Sequence, residues 1–153
     1  MNTYQTNIDW AGKDGPRIAL RPYQIRTIDA VENEFNKGYR RVLLQAPCGS
    51  GKTIMAAELM RRAVDKGFCI LFLAHHRELI YQASEKLDWF RIEHGLIMSG
   101  EVPSLVPSVQ LSMIQTLTRR LKSKRLQPPL AHLIIIDEAH HTNARSYLNL
   151  LEL

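Results

Sequence analysis

Two spacings of apolar residues alternate along this chain: short unbroken runs, and sets that recur every three or four positions. The first suits a strand buried on both faces, the second a helix with one apolar side. Between Tyr23 and Lys37, residues Ile25, Ile28, Ala30, Val31 and Phe35 fall near helical spacing; Arg21-Pro22 makes a plausible entry and Gly38 a stop. Arg41 to Ala46 reads as a buried strand, and Lys52 to Lys66 as an Ala/Leu/Met-rich helix ended by Gly67. Phe68 to Ala74 is a second buried strand, followed by an amphipathic helix from Arg77 to Phe90. His94 to Met98 and Ser108 to Met113 are shorter strand candidates on either side of a Ser/Gly/Pro loop. Ile114 to Leu126 reads as a basic helix broken by Pro128-Pro129, His132 to Ile136 as the last strong strand, and Ser146 to Leu153 as a restarted helix. This alternation predicts an α/β fold: a mostly parallel sheet with helices crossing over on its two faces. Met1 to Arg17 is polar and aperiodic and is expected to be a flexible arm, leaving 18–153 as the domain.

Composition narrows the class. A chain of 153 residues with 45% hydrophobic content suits one domain with a real core. No stretch approaches the roughly 20 apolar residues of a membrane span, and the N-terminus lacks a signal-peptide core, so the expectation is a cytoplasmic protein with no membrane partner. Cys48 and Cys69 are too few for a disulfide framework and are expected to be free thiols. The net charge of +5 suits a polyanionic partner. Arg119, Arg120, Lys122, Lys124 and Arg125 form one basic cluster; Arg61, Arg62 and Lys66 form another, which reads as a solvated helix face.

The candidate chemistry lies just after two of the apolar runs. Ala46-Pro47-Cys48-Gly49-Ser50-Gly51-Lys52-Thr53 passes from strand to loop to helix, which points a row of backbone N–H groups and a helix N-terminus into one concavity. A polyphosphate fits that cradle. Gly49 and Gly51 allow positive φ and close approach, Cys48 and Ser50 complete the loop, Lys52 reaches the β- and γ-phosphates, and the Thr53 hydroxyl is placed to ligand Mg²⁺. Ala46 stands where the strict form of this pattern has its first Gly. Asp137-Glu138-Ala139-His140-His141 follows the last strand: Asp137 is a second Mg²⁺ ligand, and Glu138 a group to orient or deprotonate an attacking water. A kinase has no use for that Glu.

In this order, the residues resemble the first RecA-like lobe of a superfamily-two DEAD/DEAH-type helicase, in the branch that contains type III restriction-enzyme motor subunits; the likeness runs from Leu20 to His141. It implies a three-layer αβα sandwich of the P-loop NTPase class, lacking its last elements because only a short helix follows His141. Leu20-Arg21-Pro22-Tyr23-Gln24 resembles the family element in which Gln24 would read the adenine edge. Leu73 to Gln82 resembles the element whose loop and helix start meet nucleic-acid phosphates, through His76 and Arg77. Gln115-Thr116-Leu117 resembles a later element that would make Thr116 a phosphate ligand, and His140 would couple the nucleotide and nucleic-acid sites. The implied cofactors are ATP and Mg²⁺, and the implied partners are nucleic acid, DNA ahead of RNA, and a second RecA-like lobe carrying arginine fingers.

The resulting expectation is the ATP-binding lobe of an ATP-dependent DNA helicase or translocase, inactive or very slow alone. Three readings stand beside it: a duplex-DNA translocase subunit of a restriction system, a non-catalytic ATP-switched nucleic-acid-binding module, and a metabolic P-loop kinase, against which the Asp137-Glu138 pair argues.

Overall fold

The computed structural model of the chain describes residues 19–100 and 102–139. Its centre is strand β1 (Ile70–Ala74), whose five residues are all buried. Around it are α1 (Pro22–Asn36), α2 (Lys52–Asp65), α3 (Arg77–Trp89), β2 (His94–Ile97), β3 (Val109–Met113), α4 (Ile114–Lys122) and β4 (Leu133–Ile136). The four strands are parallel in the order β2-β3-β1-β4, with Ile70 opposite Val109 on one side and Leu133 on the other. Strand alternation sends Ile70, Phe72 and Ala74 to one face, where Ala57 and Met60 of α2 and Ile80, Ala83 and Leu87 of α3 cover them. Leu71 and Leu73 point to the other face and pack with Ile97, and with Ile114 and Leu117 of α4. The expected αβα layering follows from this two-sided burial.

Each of the four helices ends in the same pattern of paired bonds. After α4, Arg125 N–H donates to the Arg120 carbonyl and Lys124 N–H to the Leu121 carbonyl, both at 3.0 Å, with Lys124 in the left-handed region at φ 53°. Gly67 plays this part after α2, and Arg91 after α3. This motif is why α4 stops at Lys122, short of the expected Leu126: a side-chain-bearing residue takes the left-handed position, and only the Gly terminators are conspicuous in sequence.

One expected element is corrected. Arg41 to Ala46 forms no strand; Leu43 is 84% exposed and Leu44 42% exposed. A parallel strand is stable when helices cover both of its faces, and here the apolar side chains are uncovered. Among the described residues, β4 pairs only with β1. The expected N-terminal arm and the restarted helix at Ser146 to Leu153 lie outside the described residues. Among the described residues no helix is long and apolar enough to cross a membrane.

Candidate functional site

In an open parallel sheet, ligands gather beyond the carboxyl ends of the strands. That edge collects most of the residues singled out above. The 47–51 loop is a tight turn, with Ser50 N–H donating to the Pro47 carbonyl at 3.3 Å and Gly49 at φ 75°. Gly51 is the N-cap of α2 at φ 81°. The positive φ favours glycine, and a Cβ there would lie 2.5 Å from the Gln24 amide nitrogen and push that side chain off the Ser50 carbonyl. Lys52 Nζ donates to the Ala46 carbonyl at 3.3 Å and lies 3.5 Å from that of Pro47, which holds the ammonium at the loop. Thr53 is half-buried on the next position of α2. The Ser50 hydroxyl is buried without a partner among the described residues. Cys48 is an exposed free thiol on the rim. The loop and α1 enclose a cleft of about 440 Å³ lined by Tyr23, Thr27, Gln45, Cys48, Gly49 and Met55, among others.

The second stretch joins this edge directly. Asp137 continues the sheet by donating its N–H to the Leu73 carbonyl at 2.9 Å. Burial pushes its carboxyl above the ordinary 3.8, the Glu138 charge adds to the rise, and the Glu138 N–H and the Lys52 ammonium oppose it. The two stretches, distant in sequence, share this edge because α2 runs back to the start of β1, which leaves its own first residues at the carboxyl end where Asp137 bonds Leu73. A half-buried carboxyl held partly against its charge beside a lysine is chemically suited to a divalent cation, and Thr53 supplies a hydroxyl of the right kind. Glu138 sits at φ 51° and donates its N–H to Asp137 Oδ1 at 2.9 Å. A left-handed non-glycine residue is strained, and strain of this kind gathers at functional positions. His140 lies outside the described residues.

The candidate nucleic-acid residues divide. His76, the N-cap of α3, and Arg77, its first residue, are exposed just beyond the carboxyl end of β1. Thr116 is 5% exposed within α4, whereas Gln115 beside it is exposed. Its expected role as a phosphate ligand therefore meets an inward-turned position, because the α4 face that carries Ile114 and Leu117 into the core takes Thr116 with it. Of the basic clusters, Arg61, Arg62 and Lys66 are spent on ion pairs with Glu58, Asp65, Asp29 and Glu32 and are not a free cationic face. Arg119 reaches Ser99 Oγ at 3.4 Å, and Arg120 donates to the Met98 carbonyl.

Gln24 is buried, with its Oε1 accepting from Arg21 N–H at 2.9 Å and its Nε2 donating to the Ser50 carbonyl at 3.0 Å. It therefore fastens α1 to the loop as well as standing near the cleft. Tyr23, which the sequence reading left unassigned, donates its hydroxyl to the same Ser50 carbonyl at 2.8 Å. Its position beside Gln24 was the available signal.

Comparison with known proteins gives a consistent picture. The family model described as type III restriction enzyme, res subunit, matches residues 17–153. A Saccharomyces cerevisiae protein named as an ATP-dependent helicase, IRC3, is 32% identical over 145 residues, covering 87% of this chain and 20% of its own length. A type I restriction enzyme EcoKI endonuclease subunit of Escherichia coli is 29% identical over 135 residues, covering 80% of this chain and 12% of its own length. In fold, the chain is similar to a nuclease-deletion mutant of the Type ISP restriction-modification enzyme LlaGI, solved with a DNA substrate mimic: the TM-score is 0.62 at 22% identity, over 80% of this chain and 15% of that one. The chain thus spans about a fifth or less of these relatives.

Proposed function

The chain belongs to the family of the type III restriction enzyme res subunit, and from that premise we propose that it is the ATP-binding RecA-like lobe of an ATP-dependent DNA helicase or translocase. The observation that carries this reading is that the loop opening α2 and Asp137, which bonds the Leu73 carbonyl just beyond β4, stand at the same carboxyl edge of the sheet. In it, the 47–51 loop and the α2 N-terminus cradle the phosphates through backbone N–H groups, and Lys52 leaves its loop carbonyls for the β- and γ-phosphates. Thr53 and Asp137 would hold Mg²⁺, which when bound neutralises charge building on the transferring phosphoryl group. Glu138 orients the attacking water and takes its proton. His76 and Arg77, with the free N–H groups at the start of α3, face the nucleic-acid backbone.

A second RecA-like lobe completes the site with arginine fingers, an effect worth about 10³ to 10⁵ in rate in phosphoryl transfer generally. Relatives far longer than this chain have room for such a lobe. The chain alone is therefore expected to bind Mg-ATP and turn it over very slowly. DNA is the proposed track, and a duplex-DNA translocase of a restriction system is the second reading, favoured by the restriction-enzyme relatives. Stimulation by duplex DNA over single strands selects it. With a second lobe restored, Glu138→Gln should keep nucleotide binding and stop turnover; unchanged turnover would remove Glu138 from its role.

A further inference from the structure

Helix α1 is fastened to the body of the molecule more by charge than by apolar burial. Of its fifteen residues only Gln24 and Ile28 are buried. Across from it, Arg62 on α2 donates through Nη1 to Asp29 Oδ1 at 2.7 Å and to Glu32 Oε2 at 2.6 Å, both on α1. Lys66 adds a bond to Glu32 Oε1 at 2.7 Å. The guanidinium is itself held in place: its Nε donates to Glu58 Oε1 at 2.9 Å, and Glu58, only 6% exposed, is gripped a second time by Arg61 at 2.7 and 2.8 Å. A planar fork fixed on one side by a buried carboxylate and bonded to two more on the facing helix is a rigid strap, unlike an isolated surface pair.

Both strapped helices begin at the phosphate loop. Tyr23 and Gln24, at the start of α1, bond the Ser50 carbonyl, and Lys52 opens α2. Arg62 lies about 15 Å along α2 from that start at 1.5 Å per residue, so the strap is a second fastening remote from the cleft. We infer that Arg62 is a positioning residue that clamps α1 against α2 and so holds Tyr23 and Thr27, the α1 side chains that line the cleft opposite the phosphate loop, at the base side of the nucleotide site. The inference rests on the ATP-site reading above. Its consequence is selective: loosening the clamp frees the side of the site formed by α1, while Lys52 and the helix N-terminus stay in place on α2.

The test is calorimetric titration of the 153-residue chain with Mg²⁺ and, separately, ATP and inorganic tripolyphosphate. For Arg62→Met, ATP affinity should fall about tenfold, equivalent to 1.4 kcal/mol, while tripolyphosphate binding is unchanged. The paired α1 variant Asp29→Asn/Glu32→Gln should do the same, which separates the clamp from any folding defect peculiar to Arg62→Met. Arg61→Met, which loosens the same Glu58 without breaking the bonds to α1, should cost less ATP affinity than either variant. If Arg62→Met and the α1 variant both keep the wild-type affinity for ATP, the clamp is wrong while the site stands. If wild type and Lys52→Ala bind ATP alike, the nucleotide-site reading falls and the clamp with it.

Discussion

Asp137 carries the least settled charge in the candidate site. Burial raises its carboxyl above the ordinary 3.8, so its proton is held more tightly in the folded chain than in the unfolded one. Stability from the protonated form is complete below the unfolded value and is lost as pH rises through the folded value, leaving a cost at neutral pH. Asp137→Asn removes this cost, so its Tm at pH 7 should exceed that of wild type, by about 2–4 °C for each kcal/mol relieved, and the difference should close below pH 3.8. A lower Tm at pH 7 would show that the charge is already compensated in the fold. At this scale the sequence was most informative where a residue type is demanded by chemistry. Gly49 and Gly51 take the positive φ that the loop reading asked of them, 75° and 81°. It was least informative for inward or outward facing: nothing local in Gln115-Thr116 says which of the two turns into the core, because that depends on how α4 rests on Leu71 and Leu73.

Among the elements, the apolar periodicity was enough to place the helices and the four paired strands, within a few residues at their ends. Helix termination was readable where glycine takes the left-handed position, as at Gly38 and Gly67, and unreadable where Lys124 does so. Lys124→Gly should relieve a left-handed penalty partly offset by the entropy of glycine, stabilising the chain by about 0.5–1 kcal/mol. Chemical denaturation checks this, and an unchanged or lower midpoint would mean that the Lys124 side chain stabilises its turn. The α1–α2 strap shows the same division. Glu58 and Arg62 are one turn apart on a single helix, so their pairing was legible. Their reach to Asp29 and Glu32 is a tertiary fact with no local signature, which is why this basic cluster read as a solvated face. Arg41 to Ala46 is the opposite case: the apolar run suits a strand, but covering layers decide whether such a run is buried, and Leu43 has none.

For the molecule as a whole, two-sided burial of β1 fixes the rest of the plan. A strand with five buried residues needs neighbours on both edges and helices on both faces, and the chain supplies β3 and β4, then α2 and α3 against α4. The crossovers bring the starts of α2 and α3 and the turn after β4 to one edge, so the phosphate loop, His76-Arg77 and Asp137-Glu138 share it. The architecture gathers three separate sequence stretches into one candidate site, at which Lys52 is proposed to bind Mg-ATP. The most direct measurement is calorimetric titration of the chain with Mg-ATP beside its Lys52→Ala variant, with circular dichroism to show that both are folded. Saturable binding by wild type that is lost in the folded variant is the predicted result. Equal binding by the two, or none by a folded wild-type chain, would contradict it.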